Sequence, residues 1–175
     1  PIDKTIGTVA ANYTVSGGIG TPLGVVVSKN KATLVLASPL LTGTVYTVTV
    51  SALLKDCPGN LITGDLTVSI ALAEAATAGN ILLNEILFNP VTDGFDFVEI
   101  YNASAKTIDL KNIFITNVNT TTNVIDTKYI IYPEGYLLFP GSYLALTESV
   151  SATATAYPAK EKRNLLQVPA LPSYN

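Results

Sequence analysis

The sequence predicts an all-β fold made of two consecutive β-sandwich modules. Short apolar runs alternate with polar residues at period two, and turn residues interrupt them about every 8 to 12 residues. Thr, Val, Leu, Ile and Tyr are abundant, whereas charged residues make up 13% of the 175 residues, against about 25% in ordinary domains. This length suits two β-domains of about 80 to 100 residues each.

Five predicted strands define the first module, residues 1–72. They cover residues 8–15, 23–28, 32–37, 44–50 and 66–72. The fourth run, TVYTVTV, places Tyr46, Val48 and Val50 on one face. A Pro and a Gly precede Tyr46 by a few residues, which predicts that its hydroxyl bonds back across the preceding turn, as in a tyrosine corner.

A small, polar stretch, residues 73–79, is predicted to link the modules, and the second module spans residues 80–175. Two runs flank a turn at 89–94 and predict a hairpin. In the first run, period two puts Leu82, Asn84, Ile86 and Phe88 on one face and Ile81, Leu83, Glu85 and Leu87 on the other. In the second run, Val98 and Ile100 lie on one face, and Phe97, Glu99 and Tyr101 lie on the other. Later runs predict strands at 113–118, 124–131, 136–139 and 143–146, and a short helix at 149–157.

The first module resembles a known family. NYTV, LVLASPLLTGTVYTVTV and KDCPGN resemble the Ig-like domain of bacterial surface-layer and other secreted proteins. In that family a YTVTV-like strand is followed by a turn similar to D-x-x-G-N, here residues 56–60. The resemblance implies an Ig-like sandwich. One or two strands normally precede the first residue of this chain, so the module is expected to be truncated at its N-terminus.

The second module resembles a lamin-tail domain of the bacterial type. The similarity rests on NILLNEILFNP, DFVEIYNASAKTIDLKNIFITN and YLLFPGSYLALTES. The matching positions are Asn84, Glu85, Asn89, Pro90, Glu99, Asn102, Asp109, Leu110, Pro140, Gly141 and Tyr143. The resemblance implies a second Ig-like sandwich, whose relatives continue into further strands, so this module is expected to be incomplete at its C-terminus.

Composition restricts the chemistry that is available. The chain has no His and a single Cys, which excludes Ser-His-Asp and Cys-His catalysis and a Cys/His metal site within one chain. A net charge of −3 with scattered basic residues gives no electrostatic footprint for nucleic acid. No apolar stretch reaches the roughly 20 residues of a membrane span. We therefore expect no enzyme, no nucleic-acid partner and no direct membrane insertion.

Glu85 and Glu99 stand in the middle of the two strands of the predicted hairpin. In the structural interpretation, which we favour, they accept hydrogen bonds from backbone, Asn or Lys groups and fix the register. Directly opposed carboxylates would destabilise the hairpin, so they are either offset or bridged by a cation or proton. A calcium site using Asp93, Asp96 and Glu99 is the second alternative. A catalytic carboxylate pair is the third. No other cofactor is predicted.

Cys57 lies in a turn-like stretch with no visible base to activate its thiol. It is interpreted as a turn residue, or as half of a disulfide whose partner lies outside these residues.

The functional hypothesis is a non-catalytic structural or binding module of a larger bacterial protein. The family resemblance implies an extracellular or cell-surface location and a protein or glycan partner there. Two alternatives stay open: a carbohydrate- or protein-binding adhesin module, and an accessory domain of a secreted hydrolase. If edge strands are missing, the exposed sheet edges are also predicted to pair with another chain.

Overall fold

The computed structural model describes residues 1–157 and 164–173. The chain forms two compact units, Pro1–Leu72 and Ala73–Asn175. Thirteen strands and a few short helical segments make up the described elements, which confirms the predicted all-β class. No helix within the described ranges is long and apolar enough to cross a membrane.

The first unit contains one helix, α1 (Lys4–Gly7), and five strands. The strands are β1 (Tyr13–Val15), β2 (Gly24–Ser28), β3 (Lys31–Val35), β4 (Tyr46–Val50) and β5 (Thr67–Ile70). An antiparallel sheet has the order β1-β4-β5, and β2 and β3 form a separate antiparallel hairpin.

The core of the first unit confirms the predicted face of β4. Tyr46 and Val48 are buried together with Val15 and Ile19, because β-branched and aromatic side chains at alternate positions point to one side of a strand. The Tyr46 hydroxyl accepts a 3.0 Å hydrogen bond from the backbone N–H of Leu41. The predicted tyrosine corner is therefore present.

The predicted strand at 8–15 is wrong over its first half. Thr8 caps the end of α1, a 3₁₀ turn follows at Ala10–Asn12, and only Tyr13–Val15 is a strand. The Asp3 side chain accepts a hydrogen bond from the N–H of Thr5 and caps α1. Within the run, the N–H of Thr8 donates to the Lys4 carbonyl and the N–H of Asn12 donates to the Val9 carbonyl, so local hydrogen bonding overrides the β-propensity of these residues.

The turn at 56–60 is closed by a carboxylate. The Asp56 side chain accepts hydrogen bonds from the side-chain Nδ2 of Asn60 at 2.9 Å and from its backbone N–H at 2.8 Å. The bond from the Asn60 side chain is the main reason that the pKa of Asp56 lies below its ordinary value of 3.8. The pKa of Asp3 is also lowered from 3.8, mainly by the backbone N–H of Thr5.

These lowered pKa values predict acid sensitivity of the first unit. Below pH 3.8 the unfolded chain binds protons that the folded carboxylates still exclude, so stability falls as pH decreases through the folded pKa. We expect the free energy of unfolding to be constant above about pH 5 and to drop below it. Urea denaturation at a series of pH values measures the drop, which Asp56→Asn should reduce. The control, Asp93→Asn in the second unit, should leave the drop unchanged. If the stability of Asp56→Asn falls with pH as steeply as that of the wild type, the acid sensitivity does not come from Asp56.

The second unit is organised around a four-stranded sheet. Its strands are β6 (Ile81–Leu87), β7 (Phe97–Asn102), β12 (Tyr143–Thr147) and β13 (Leu165–Gln167), in the order β13-β12-β7-β6. Only the β12–β13 pair is parallel. Two small antiparallel pairs join β8 (Ile108–Asp109) to β11 (Leu137–Leu138) and β9 (Phe114–Ile115) to β10 (Tyr129–Ile130). The predicted helix is present as α2 (Val150–Ala156).

One face of this sheet packs against the small strand pairs. Val98 and Ile100 of β7 and Leu144 and Leu146 of β12 lie in the largest buried cluster. The other members of that cluster are Ile108, Leu110, Ile131, Leu138, Leu166, Val168 and Leu171. The predicted inward face of β7 is confirmed, because its burial alternates residue by residue.

The predicted faces of β6 are wrong after Leu83. The register pairs Leu83 with Ile100, then skips Asn84 and pairs Glu85 with Glu99. This β-bulge inserts one unpaired residue, which moves every later side chain to the opposite face. Glu85 therefore shares a face with Leu82 and Leu87, not with Leu83.

Candidate functional site

The candidate site is the face of the four-stranded sheet that points away from the core, which we call the outer face. Because directly paired residues in an antiparallel ladder lie on the same side, the register defines its rows. One row is Leu82, Tyr101 and Tyr143, and the next is Glu85, Glu99 and Ala145. Val98 and Ile100, next to Glu99 in β7, point into the core and are 0% and 2% exposed.

Two tyrosines form an aromatic platform on the outer face. The rings of Tyr101 and Tyr143 stack with centroids 4.4 Å apart and an interplanar angle of 28°. The side chain of Tyr143 is 44% exposed, so part of the platform faces solvent. A flat ring surface beside carboxylates can stack on a sugar or contact a cationic group.

Glu85 and Glu99 are direct register partners across β6 and β7. The bulge residue Asn84 donates a 2.6 Å hydrogen bond from Nδ2 to Oε1 of Glu99. This is the kind of Asn contact that the structural interpretation of the pair requires. Within residues 1–157 and 164–173, neither carboxylate forms an ion pair with a basic side chain, so no described cation compensates the two charges.

The three carboxylates considered for calcium are not brought together. Asp93 lies in the loop between β6 and β7 with a left-handed backbone, φ 62°. The backbone carbonyl of Asp96, not its carboxylate, accepts a hydrogen bond from Thr147 Oγ1 at 3.0 Å. Across the described ranges, no group of three or more acidic or Cys side chains is arranged to hold a metal ion.

Asp93 instead lines an open cleft between its loop and α2. The cleft has a volume of about 510 Å³, and hydroxyl groups from Thr92, Ser151 and Thr155 contribute to its lining. Thr155 Oγ1 already donates to the Ser151 carbonyl at 2.9 Å. Small side chains make up most of the lining of the cleft.

Cys57 is exposed in the turn of the first unit. Its Sγ lies 3.7 Å from the carbonyl oxygen of Ile2, a weak thiol hydrogen bond. The structure places Cys57 in a turn, as the first interpretation expected, and a disulfide with a partner outside these residues stays a prediction.

Asn102 acts inside the fold of the second unit and not on its surface. It is fully buried, and its amide Nδ2 donates to the carbonyls of Lys106 and Leu138 at 2.8 and 2.9 Å. Its Oδ1 accepts hydrogen bonds from both the backbone N–H and the Oγ of Ser104. All four hydrogen-bonding positions of the amide are therefore used.

Asp109 also has a structural role, since its Oδ1 accepts the N–H of Lys111 and of Tyr136 at 3.0 Å each. These bonds tie β8 to the start of β11. From the sequence, Asn102 and Asp109 were identified only as positions that match the family motif. The contact between Tyr101 and Tyr143 was not predicted. The sequence feature that pointed to Tyr101 is the period-two alternation of β7, which places Tyr101 on the same face as Glu99.

Comparison with protein-family models identifies both units. Residues 74–168 match the Lamin Tail Domain, and residues 1–72 match a Bacterial Ig-like domain. The lamin-tail match covers more than half of the chain, and the chain therefore belongs to the Lamin Tail Domain family. Searches of curated proteins and of solved structures each returned no match.

Both resemblances inferred from the sequence motifs are confirmed, in the expected order along the chain. Domains of these two families indicate a non-catalytic module. The families define a fold more closely than a ligand, because one fold carries many functions.

Proposed function

We propose that this chain is a non-catalytic binding and spacer module of a larger extracellular or cell-surface bacterial protein. The main supporting observation is how the polar side chains of the family motif are used. Asn102 and Asp109 bond backbone groups of neighbouring segments, and Glu99 accepts the amide of Asn84. These groups hold strands together and leave no convergent set of free acids and bases for a reaction among the described residues.

The location is tested on the bacterium that carries the gene. Antibodies raised against the purified chain are applied to intact cells and to separated cell fractions. We expect labelling of intact cells or recovery from the medium, and loss of the signal after external protease treatment. Recovery from the cytoplasmic fraction alone contradicts the proposal.

The absence of catalysis is tested separately on the purified chain. Chromogenic phosphate ester, nucleic acid and glycoside substrates should show no turnover above buffer. A turnover that Glu99→Gln abolishes and Glu134→Gln leaves intact would overturn the non-catalytic assignment, because Glu134 is an exposed acid in the turn before β11.

A carbohydrate ligand is the second candidate, and the stacked tyrosines favour it. Sugars stack on exposed aromatic faces, and the Tyr101–Tyr143 platform lies beside the carboxylates Glu85 and Glu99, which accept hydroxyl hydrogen bonds. A glycan array probed with the wild type and with Tyr143→Ala tests it. Binding that is lost in Tyr143→Ala but kept in Tyr129→Ala supports the candidate, and an array without hits counts against it.

A further inference from the structure

The strand β6 forms one edge of the four-stranded sheet. Six of its seven residues pair with β7 on one side, Asn84 being the bulge residue, and in the described part of the chain no strand pairs with the other side. An edge of this length presents a row of backbone N–H and C=O groups to which another strand can bond.

The core-facing side of this edge is uncovered. Leu83 and Ile86 share a face with the buried Ile100 and Val98, yet their side chains are 61% and 41% exposed. Phe88, directly after the strand, is exposed as well. Contiguous exposed apolar side chains on an edge strand are typical of an interaction surface.

The outer side of the same edge carries negative charge, and no basic side chain among the described residues forms an ion pair with it. Glu85 is exposed and lies directly opposite Glu99. A strand added beside β6 would place one of its side chains next to Glu85 in the same row. Opposite charges in such a cross-strand position stabilise a sheet, and like charges destabilise it.

We propose that the β6 edge binds an extended segment of a partner protein that alternates apolar and basic residues. This segment adds as a fifth strand, with apolar side chains against Leu83 and Ile86 and a Lys or Arg beside Glu85. The inference rests on the proposed role as a binding module and specifies its partner. A second copy of β6 fits less well, because its sequence, ILLNEIL, brings another carboxylate and no basic residue.

The test uses two matched synthetic peptides and the full chain labelled for NMR. One peptide contains VTVKVTV, and the other has Glu in place of its Lys. Titration with the Lys peptide should shift the backbone amides of residues 81–87 and slow their hydrogen exchange. We expect the Lys peptide to bind about fivefold more tightly than the Glu peptide, given the usual strength of a cross-strand charge pair.

Variants distinguish charge-dependent binding from non-specific hydrophobic binding. Glu85→Lys should reverse the order of the two peptides, whereas Glu134→Lys, a charge reversal at an exposed site in the turn before β11, should not. Leu83→Lys should abolish binding of both peptides. Since Leu83 is already exposed, the variant is expected to fold, and its amide spectrum verifies this.

Three outcomes overturn the inference. Equal affinity for both peptides with no change in Glu85→Lys removes the charge selection. Shifts confined to other strands place the binding elsewhere. Self-association of the free chain that Leu83→Lys abolishes assigns the edge to a second copy instead. None of these depends on the surface-labelling or turnover experiments, so failure here is distinguishable from failure of the proposed function.

Discussion

Replacing Asn102 with alanine is expected to lower the free energy of unfolding of the second unit by about 3 kcal/mol, because it removes four hydrogen bonds of one buried side chain. The amide donates to Lys106 and Leu138 and accepts two bonds from Ser104 in a fully buried site. Without it, the buried Leu138 carbonyl bond and the partly buried bonds to the Lys106 carbonyl and to the Ser104 donors are lost. Urea denaturation followed by far-UV circular dichroism measures the change, since the chain has no Trp whose fluorescence could report unfolding.

Two further variants make this prediction specific to the hydrogen bonds. Asn102→Asp keeps the shape but turns an acceptor oxygen toward the carbonyls of Lys106 and Leu138, so it should destabilise at least as much at about pH 7. Asn112→Ala, at an exposed position of the 3₁₀ turn Leu110–Asn112, should change stability by about 0.5 kcal/mol or less. A similar, small effect of all three substitutions would show that the buried network contributes little.

Replacing Gly17 with alanine should destabilise the first unit by about 3 kcal/mol, from backbone strain and overpacking together. Gly17 has φ 68°, a left-handed conformation that disfavours a side chain. An added Cβ would also lie 2.6 Å from Cε1 of Tyr46, whose ring is buried in the core. A ring displacement large enough to relieve this contact would disturb the 3.0 Å bond between its hydroxyl and the N–H of Leu41.

The neighbouring glycine supplies a matched control. Gly18 has φ 80°, and no atom lies within 4 Å of the position that an added Cβ would take. Gly18→Ala therefore reports the backbone strain alone, about 1 kcal/mol. The difference between the two variants, measured by urea denaturation, isolates the contact with Tyr46. Equal losses would mean that the ring adapts without cost.

The hairpin of β6 and β7 shows where the period-two pattern predicts the direction of side chains correctly and where it does not. In β7 the alternation correctly separates Val98 and Ile100 from Glu99 and Tyr101, because each side chain's direction follows from its position in a regular strand. In β6 the same argument fails at Asn84. The bulge there depends on how the strand fits its partner, and no feature of the run ILLNEIL reveals it.

Local hydrogen bonds explain the other difference. Residues 8–12 have a strand-like composition, yet a bond from the Thr8 N–H to the Lys4 carbonyl and one from Asn12 Nδ2 to the Ile6 carbonyl hold this region in helical turns. The Tyr46 corner was predictable, since a fixed spacing from a preceding turn brings its hydroxyl to the backbone. The helical turns before residue 13 and the Tyr46 corner both depend on hydrogen bonds between residues close in sequence. Only the tyrosine corner has a sequence pattern that recurs in other proteins.

The amino-acid sequence by itself determined the all-β class, the order of the two families along the chain and the inward faces of β4 and β7. These properties follow from the period of side chains along single strands and from ordered motifs. Only the tertiary structure decided that Tyr101 stacks on Tyr143, that Glu85 faces Glu99, and that β6 forms an open edge within the described residues. Each of these depends on which distant segments become neighbours, and pairing between segments is set by packing of the whole unit, not by the pattern of either segment.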